Sequence, residues 1–255
     1  MQLLALADAQ AVAAAAAERL LQARQAQPQR PLGLATGRTM VPVYAALRQQ
    51  LGRLGSQQQR QIRADWLSFN LDEYVGLGPH DPRSFKAFMA GQLQAPLGLR
   101  PEQVLLPDGL AADPQAEARR YGAALAVAGG VGLQLLGLGL NGHVGFNEPP
   151  CSAEAPCRCL TLSAATRTQN AGAFGGDPEA VPAQAITLGL AEILAAGQIL
   201  LVVTGASKAA ILKRALQEPP CPEIPASWLQ HHPRLEVVAD QAALGAFLQG
   251  PGPCR

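Results

Sequence analysis

This sequence contains few lysines and histidines, and its net charge is small. Its 255 residues contain three lysines and four histidines, and the formal net charge is +1. Nucleic acids and anionic membrane surfaces are bound through strongly basic patches, which this composition does not provide. We therefore expect neither partner, and any charged ligand must be held by a few well-placed groups.

Long apolar runs are also missing. No stretch reaches the roughly 18 apolar residues that a membrane-spanning helix needs. The alanine-rich residues 1–22 resemble a signal peptide only in composition, because no basic segment precedes them and Asp8 and Glu18 interrupt them. The leucines at Leu3 and Leu4 fit an amphipathic helix better. We therefore expect a cytoplasmic protein.

The five cysteines are an odd number, and three of them crowd into residues 151–159. The spacing of Cys151, Cys157 and Cys159 does not match a zinc site, and no pair of histidines lies nearby. We predict reduced thiols in a loop before a strand, and no metal site.

Short apolar runs alternate with helical patterns, which predicts a parallel sheet covered by helices. The candidate strands span residues 31–35, 64–70, 131–139, 198–204 and 234–239. The candidate helices span residues 8–27, 41–52, 84–95, 114–129, 207–217 and 240–249. No repeat or long linker divides this pattern, so a single α/β domain over residues 1–255 is predicted.

Polar residues follow four of the predicted strands. In an open parallel sheet the carboxyl ends of the strands share one edge, where ligands bind, so these residues are expected to converge on one crevice. They are Thr36 to Thr39, Asp72 and Glu73, Asn141 to His143, and Thr204 to Lys208.

Residues 137–150, GLGLNGHVGFNEPP, carry two conflicting signals. Gly137, Gly139 and Gly142 have the G-x-G-x-x-G spacing of a dinucleotide-binding turn. Such a turn needs a helix that opens at the third glycine, whereas Gly145 and two prolines follow here. The spacing is therefore interpreted as a coincidence, and no nucleotide cofactor is predicted.

Acid–base chemistry explains the same segment better. His143 beside the carboxylate of Glu148 is suited to moving protons near neutral pH, although a histidine at a strand end can also be structural. Asp72 closes an apolar strand, where apolar neighbours would raise its pKa and make it a base. On residue type alone, a solvated strand end or a turn cap explains Asp72 equally well.

Two turns offer groups that bind anions. The ATGRT turn supplies backbone N–H groups, two hydroxyls and a guanidinium, without the pattern of a nucleotide P-loop. The TGASK turn ends in a lysine. Together they predict one phosphate held from both sides, with the binding residues Thr36, Gly37, Arg38, Thr39 and Lys208.

Seven stretches resemble the glucosamine-6-phosphate deaminase (isomerase) family along most of the chain. They are LGLATGRT, FNLDEYVGL, LLGLGLNGHVGFNEP, LTLSAATRTQNA, VPAQAITLGL, LLVVTGASKA and ASWLQHHP. The pair GHVGFNEP and NLDEYVGL is highly specific. The resemblance implies a three-layer α/β/α fold with a mostly parallel, Rossmann-like central sheet, and activity without a metal or cofactor.

The resemblance also implies roles for the site residues. Asp72 would move a proton between C2 and C1 of the open-chain sugar. His143 would open the pyranose ring, with Glu148 tuning its charge and Asn141 completing the group. The products would be fructose 6-phosphate and ammonia.

The chain departs from the common family pattern at several positions. Asn141 stands where many members carry aspartate, which affects the pH profile. Gly172 stands where many carry a phosphate-binding arginine, so Arg38 is predicted to supply that charge unless it points into solvent. The loop 151–159 and Leu160 differ from the activator site of allosteric hexamers, which predicts a monomer or small homo-oligomer.

Three alternatives remain open from the sequence. A galactosamine-6-phosphate deaminase would carry the same motifs. A 6-phosphogluconolactonase would share the fold and a related G-x-G-x-x-G-H motif, although the DEYVGL and FNEP segments favour the deaminase. A non-catalytic sugar-phosphate-sensing domain would accompany a DNA-binding helix-turn-helix, of which the sequence gives no sign.

Overall fold

The computed structural model describes residues 1–248 and contains two sheets. The strands are β1 Gln2–Leu6, β2 Leu32–Leu34, β3 Ser68–Asn70, β4 Asp72–Tyr74, β5 Val104–Leu105, β6 Leu133–Gly137, β7 Arg158–Thr161, β8 Gln184–Thr187, β9 Gln198–Val203 and β10 Leu235–Asp240. Seven form a parallel sheet in the order β1-β10-β9-β6-β2-β3-β5. The other three form an antiparallel sheet in the order β4-β8-β7.

Helices cover the seven-stranded sheet in a three-layer α/β/α arrangement, as predicted. The helices of the described residues are α1 Ala9–Ala26, α2 Met40–Gly52, α3 Ser56–Ala64, α4 Phe85–Met89, α5 Ala95–Leu97, α6 Pro114–Val127, α7 Ala164–Asn170, α8 Leu190–Leu194, α9 Ala209–Gln217 and α10 Gly245–Leu248. A π-helical turn at 90–94 joins α4 to α5. Within residues 1–248, no helix has the length and apolar character needed to cross a membrane.

Local sequence explains why these elements form. Asp8 begins α1 by accepting a hydrogen bond from the backbone N–H of Ala11 at 2.8 Å. On α1, Val12, Ala16 and Leu20 are fully buried because helical spacing places them on one face. The apolar run of β9 is buried along 199–203, as expected for a parallel strand covered on both faces.

The five predicted strands are confirmed, mostly with shorter bounds. The strand predicted over 64–70 begins only at Ser68, because α3 continues to Ala64. The prediction for Leu3 and Leu4 was wrong, since both lie in β1, which pairs with β10 at the edge of the sheet.

Five of the six predicted helices are confirmed, and the last needs correction. Asp240 ends β10, and helical structure begins only at Gly245. The side chain of Asp240 accepts a hydrogen bond from the backbone N–H of Ala243 at 2.7 Å, which supports a turn between strand and helix. Residue 249 of that prediction lies outside the described residues.

Candidate active site

Asp72 lies in β4, not at the end of the preceding strand as the sequence suggested. The chain turns at Leu71 and enters the second sheet, where Asp72 pairs with Thr187. Only 5% of Asp72 is exposed. Burial, followed by the nearby charge of Glu73, raises the pKa of Asp72 to about 8. This carboxyl group can therefore exchange a proton near neutral pH.

The neighbouring Glu73 has a structural role. Its carboxylate accepts hydrogen bonds from the backbone N–H groups of Tyr74 at 2.8 Å, Phe85 at 3.0 Å and Lys86 at 2.7 Å. These bonds tie β4 to the start of α4 and leave few acceptor positions free on the carboxylate. Glu73 fixes the strand that carries Asp72.

The glycines of the 137–150 segment make room for side chains. A Cβ at Gly139 would lie 2.3 Å from Nδ1 of His143, so only glycine lets the imidazole fold back over the loop. The described chain runs from β6 to β7 without a helix. The segment therefore lacks the helix that a dinucleotide turn requires.

Asn141 fixes the tautomer of His143. The Asn141 Oδ1 atom lies 2.6 Å from His143 Nδ1 and also accepts the backbone N–H of His143 at 3.2 Å. Because a backbone N–H can only donate, Oδ1 is an acceptor and Nδ1 must carry the proton. The lone pair is left on Nε2, which is the nitrogen that can accept a proton.

Burial lowers the pKa of His143 to about 4, the negative charge of Glu148 opposes this effect, and the positive charge of Lys208 adds to it. The imidazole is thus neutral near pH 7. A neutral, oriented imidazole can take a proton from a hydroxyl and return it.

Gly145 brings this loop against Asp72. Its φ is +59°, in the left-handed region that favours glycine. A Cβ at this position would lie 3.1 Å from Thr187 Oγ1 and 3.3 Å from Asp72 Oδ2. The loop that carries His143 therefore packs against the strand that carries Asp72, which brings the two predicted catalytic residues into neighbouring parts of the fold.

Asn147 locks the loop in place, a role that the sequence interpretation missed. Its Nδ2 donates to the carbonyl oxygens of Val144 at 3.0 Å and Leu188 at 2.9 Å. Its Oδ1 accepts from Nη1 of Arg158 at 2.9 Å. The FNEP motif was the only signal, and nothing in it distinguishes a locking residue from a catalytic one.

Glu148 is held by the start of α7. Its Oε2 accepts the backbone N–H of Ser163 at 2.9 Å. Its Oε1 accepts short hydrogen bonds from the hydroxyls of both Ser163 and Thr166. The predicted pair of His143 and Glu148 is thus electrostatic, because the ring hydrogen bond of His143 goes to Asn141.

The predicted anion-binding turns meet at the same end of the sheet. Arg38 and Thr39 line a cavity of about 270 Å³ together with Thr204. Burial and the positive charge of Arg38 lower the pKa of Lys208, which is half-buried. The backbone N–H of Gly205 already donates to Asp240 at 3.0 Å, so the second turn offers fewer free donors than its sequence suggested.

The remaining positions singled out by sequence are Gly172 and the three cysteines of residues 151–159. Gly172 lies in a 3₁₀ turn, with open space where a Cβ would be. Among the described residues, Cys151, Cys157 and Cys159 are free thiols. Cys157 packs against Gly122 of α6, whereas Cys151 contacts the guanidinium of Arg158 at 3.5 Å.

Known proteins with similar sequences share this architecture. Residues 6–238 match the family described as glucosamine-6-phosphate isomerases/6-phosphogluconolactonase. The glucosamine-6-phosphate deaminase of Streptomyces coelicolor is 41% identical over 243 residues, covering 95% of this chain and 91% of that protein. The corresponding enzyme of Hahella chejuensis is 42% identical over 236 residues, covering 92% and 87%.

Solved structures agree with the sequence comparisons. A structure of a monomeric glucosamine-6-phosphate deaminase superposes with a TM-score of 0.90 at 32% identity, covering 96% of this chain and 100% of that one. The 6-phosphogluconolactonase of Trypanosoma brucei, at 20% identity and a TM-score of 0.73 over 96% and 97% of the two chains, shares the fold. The predicted resemblance is confirmed, and the chain belongs to the family of glucosamine-6-phosphate isomerases and 6-phosphogluconolactonases.

Proposed function

We propose that this protein converts glucosamine 6-phosphate and water into fructose 6-phosphate and ammonia. The observation that carries the proposal is that the buried Asp72 carboxyl packs against the loop of the neutral His143. Gly145 of this loop comes so close that a Cβ added there would lie 3.3 Å from Asp72 Oδ2. Relatives named glucosamine-6-phosphate deaminase, at 41% and 42% identity, support the same substrate.

His143 opens the sugar ring. Its Nε2 lone pair takes the proton of the C1 hydroxyl and returns a proton to the ring oxygen, so the C1–O5 bond breaks and the imidazole ends as it began. Asn141 keeps the proton on Nδ1 throughout. Glu148 supplies negative charge while the ring is transiently cationic.

Asp72 then isomerises the open-chain sugar. The ionised carboxylate removes the proton from C2 while O1 gains a proton from the ammonium group of the substrate, giving an enolamine. The carboxyl group then delivers its proton to C1, giving the protonated C2 imine. Water adds to the imine carbon and ammonia leaves, and this hydrolysis needs no oxidant or reductant. Every step is a proton transfer or a hydration, and the proposal requires neither a metal nor a nucleotide.

The phosphate binds at the mouth of the cavity beside Arg38. Thr36, Gly37, Arg38 and Thr39 surround it from one turn, and Lys208 approaches from the other. Arg38 and Lys208 repel each other in the absence of a ligand, since the charge of Arg38 lowers the pKa of Lys208. A dianion between them relieves that repulsion.

We further propose that residues 1–255 form one domain that works in the cytoplasm as a monomer or small homo-oligomer. The solved relative described as monomeric supports this assembly. Light scattering of the purified protein at several concentrations measures the assembly directly.

The decisive test is ammonia release from glucosamine 6-phosphate, with fructose 6-phosphate measured in a coupled assay. Activity is expected to survive EDTA and to need no added NAD. Faster turnover of galactosamine 6-phosphate than of glucosamine 6-phosphate, or hydrolysis of 6-phosphogluconolactone, would show that the substrate is a different one. Binding of the sugar phosphate without turnover would identify a sensing domain instead.

A further inference from the structure

We propose that Ser163 and Thr166 are positioning residues that hold the Glu148 carboxylate off His143, so that the imidazole stays free to accept the sugar proton. Neither residue belongs to the predicted site. The inference rests on the proposed function, because it assigns the two hydroxyls a part in ring opening.

The hydrogen bonds around Glu148 are divided unequally. Both hydroxyls donate to Oε1, whereas Oε2 accepts only the Ser163 backbone N–H at 2.9 Å. Thr166 is 2% exposed, so its hydroxyl is shielded from water. Two donors on one oxygen occupy the lone pairs with which Oε1 would otherwise accept a hydrogen bond from the imidazole.

The helix that carries these hydroxyls is anchored independently of Glu148. Asn170 donates from Nδ2 to the hydroxyl of Tyr74 at 3.0 Å. Arg167 donates to the carbonyl oxygen of Val181 at 3.3 Å. Because these contacts do not involve the Thr166 hydroxyl, α7 should stay docked in a Thr166 variant and only the position of the carboxylate should change. The Ser163 hydroxyl also caps α7, since it accepts the backbone N–H of Thr166 at 3.2 Å, so a Ser163 variant must preserve the start of the helix.

Few charges face His143. Glu148 comes from its own loop, Lys208 comes from the turn after β9, and the ring partner Asn141 is uncharged. If Oε1 lost its two hydroxyls, a protonated imidazole would be the strongest donor left for it. The resulting ion pair would keep a proton on the nitrogen that must receive one from the sugar.

The test compares five variants. Thr166→Val removes one hydroxyl with little change in shape, and Ser163→Gly/Thr166→Val removes both, with glycine chosen because it is tolerated at a helix N-cap. Thr166→Ser keeps the hydroxyl, and Thr168→Val makes the matched change at an exposed position on the same helix. Ser163→Gly alone, which removes the hydroxyl at little cost to the helix N-cap, gives an independent result if Thr166→Val does not fold.

The first measurement is the NMR titration of His143, which needs no turnover and is resolved because the chain has only four histidines. The midpoint of the His143 titration should rise by about one pH unit in Thr166→Val, because the Glu148 carboxylate would then contact the imidazole. It should rise further in the double variant. Thr166→Ser and Thr168→Val should titrate like the wild type. A Thr166→Val midpoint equal to that of Thr168→Val, or lower, overturns the proposal.

The second measurement is ammonia release at pH 5 and pH 8. If the midpoint moves from about 4 to about 5, the neutral fraction of His143 at pH 5 falls from about 90% to about 50%, so Thr166→Val should lose about twofold in kcat relative to the wild type at pH 5 and nothing at pH 8, with KM unchanged. An unchanged pH dependence overturns the proposal. If the wild type releases no ammonia, the proposed function fails, while the titration still decides whether the hydroxyls restrain Glu148.

Discussion

At the scale of single residues, Asp72 must meet two opposing requirements. A general base must be ionised, yet burial favours the protonated form and raises the pKa of Asp72 to about 8. The wild-type rate should therefore rise with pH toward 8. The folded state binds this proton more tightly than the unfolded chain, so Asp72 lowers stability progressively as the pH rises from about 4 to about 8.

Asp72→Asn should consequently lose activity and gain stability. A lost general base costs about 10²- to 10⁴-fold in kcat. The melting temperature should exceed that of the wild type by several degrees at pH 8.5, since about 1 kcal/mol is worth about 2–4 °C in a chain of this size. The difference should vanish near pH 4. Calorimetry at both pH values checks the sign, and a variant less stable than the wild type at pH 8.5 contradicts it.

Asn141→Asp should change the acid side of the pH profile. A carboxylate at the 2.6 Å contact with Nδ1 would favour the imidazolium and raise the pKa of His143 from about 4. The second fall in kcat/KM, which follows protonation of His143 below the limb set by Asp72, should then move to higher pH by about one unit or more. Rates measured from pH 4 to pH 9 test this, and coincident profiles for variant and wild type would show that Asn141 does not set the basicity of the ring.

Arg38→Ala should weaken phosphate binding. A charge-assisted hydrogen bond contributes about 1.5–3 kcal/mol, which corresponds to a rise in KM of about 10- to 100-fold. Inhibition by inorganic phosphate should weaken in parallel. Arg53→Ala, an exposed arginine that follows α2, is the matched control. An unchanged KM in Arg38→Ala would leave its guanidinium outside the site.

At the scale of elements, the loop between β6 and β7 depends on Gly145. In Gly145→Ala the new methyl would meet Asp72 Oδ2 at 3.3 Å, and the residue would be strained at a φ of +59°. We expect kcat to fall about tenfold or more with a stability loss of about 1–2 kcal/mol, the usual cost of strain at such a φ. Gly172→Ala adds a methyl in open space and should retain wild-type rates. Equal rates in the two variants would show that the loop tolerates displacement from Asp72.

At the scale of the whole molecule, we expect no allosteric activation. Arg158 points inward to Asn147 and Cys151, so its guanidinium is already engaged within the chain, and Leu160 carries no charge. We expect N-acetylglucosamine 6-phosphate to leave the rate curve hyperbolic and unchanged. Initial rates with and without this ligand are the measurement, and a sigmoidal curve that it makes hyperbolic would refute the expectation.

Elements with a strong periodic signal could be predicted from the sequence. The apolar run of β9 and the capped, striped α1 lie where their patterns placed them. The second sheet could not be predicted, because β4, β7 and β8 carry the sequences DEY, RCLT and QAIT, which lack the apolar runs that marked the five predicted strands.

The residues of the candidate site also differ in how far the sequence could predict them. The residue type of His143, its place after a predicted strand and the nearby Glu148 indicate acid–base chemistry from the sequence alone, whereas the role of Asp72 was predicted only through the family resemblance. The contacts that orient Glu148 come from Ser163 and Thr166, which lie 15 and 18 residues away and follow no local pattern. The contact of Arg158 with Asn147 likewise depends on the path of the chain and has no sequence signature.

The two sheets carry different groups of the proposed active site. Asp72 is carried by the three-stranded sheet, whereas Arg38, His143 and Lys208 follow strands of the seven-stranded sheet. Because Asn147 ties the His143 loop to Leu188, which follows β8, a small rotation of one sheet against the other would move the imidazole together with the carboxylate and change the distance from both to the phosphate. Phosphate binding and proton transfer can thus be tuned by different parts of the chain, each with its own set of permissive mutations.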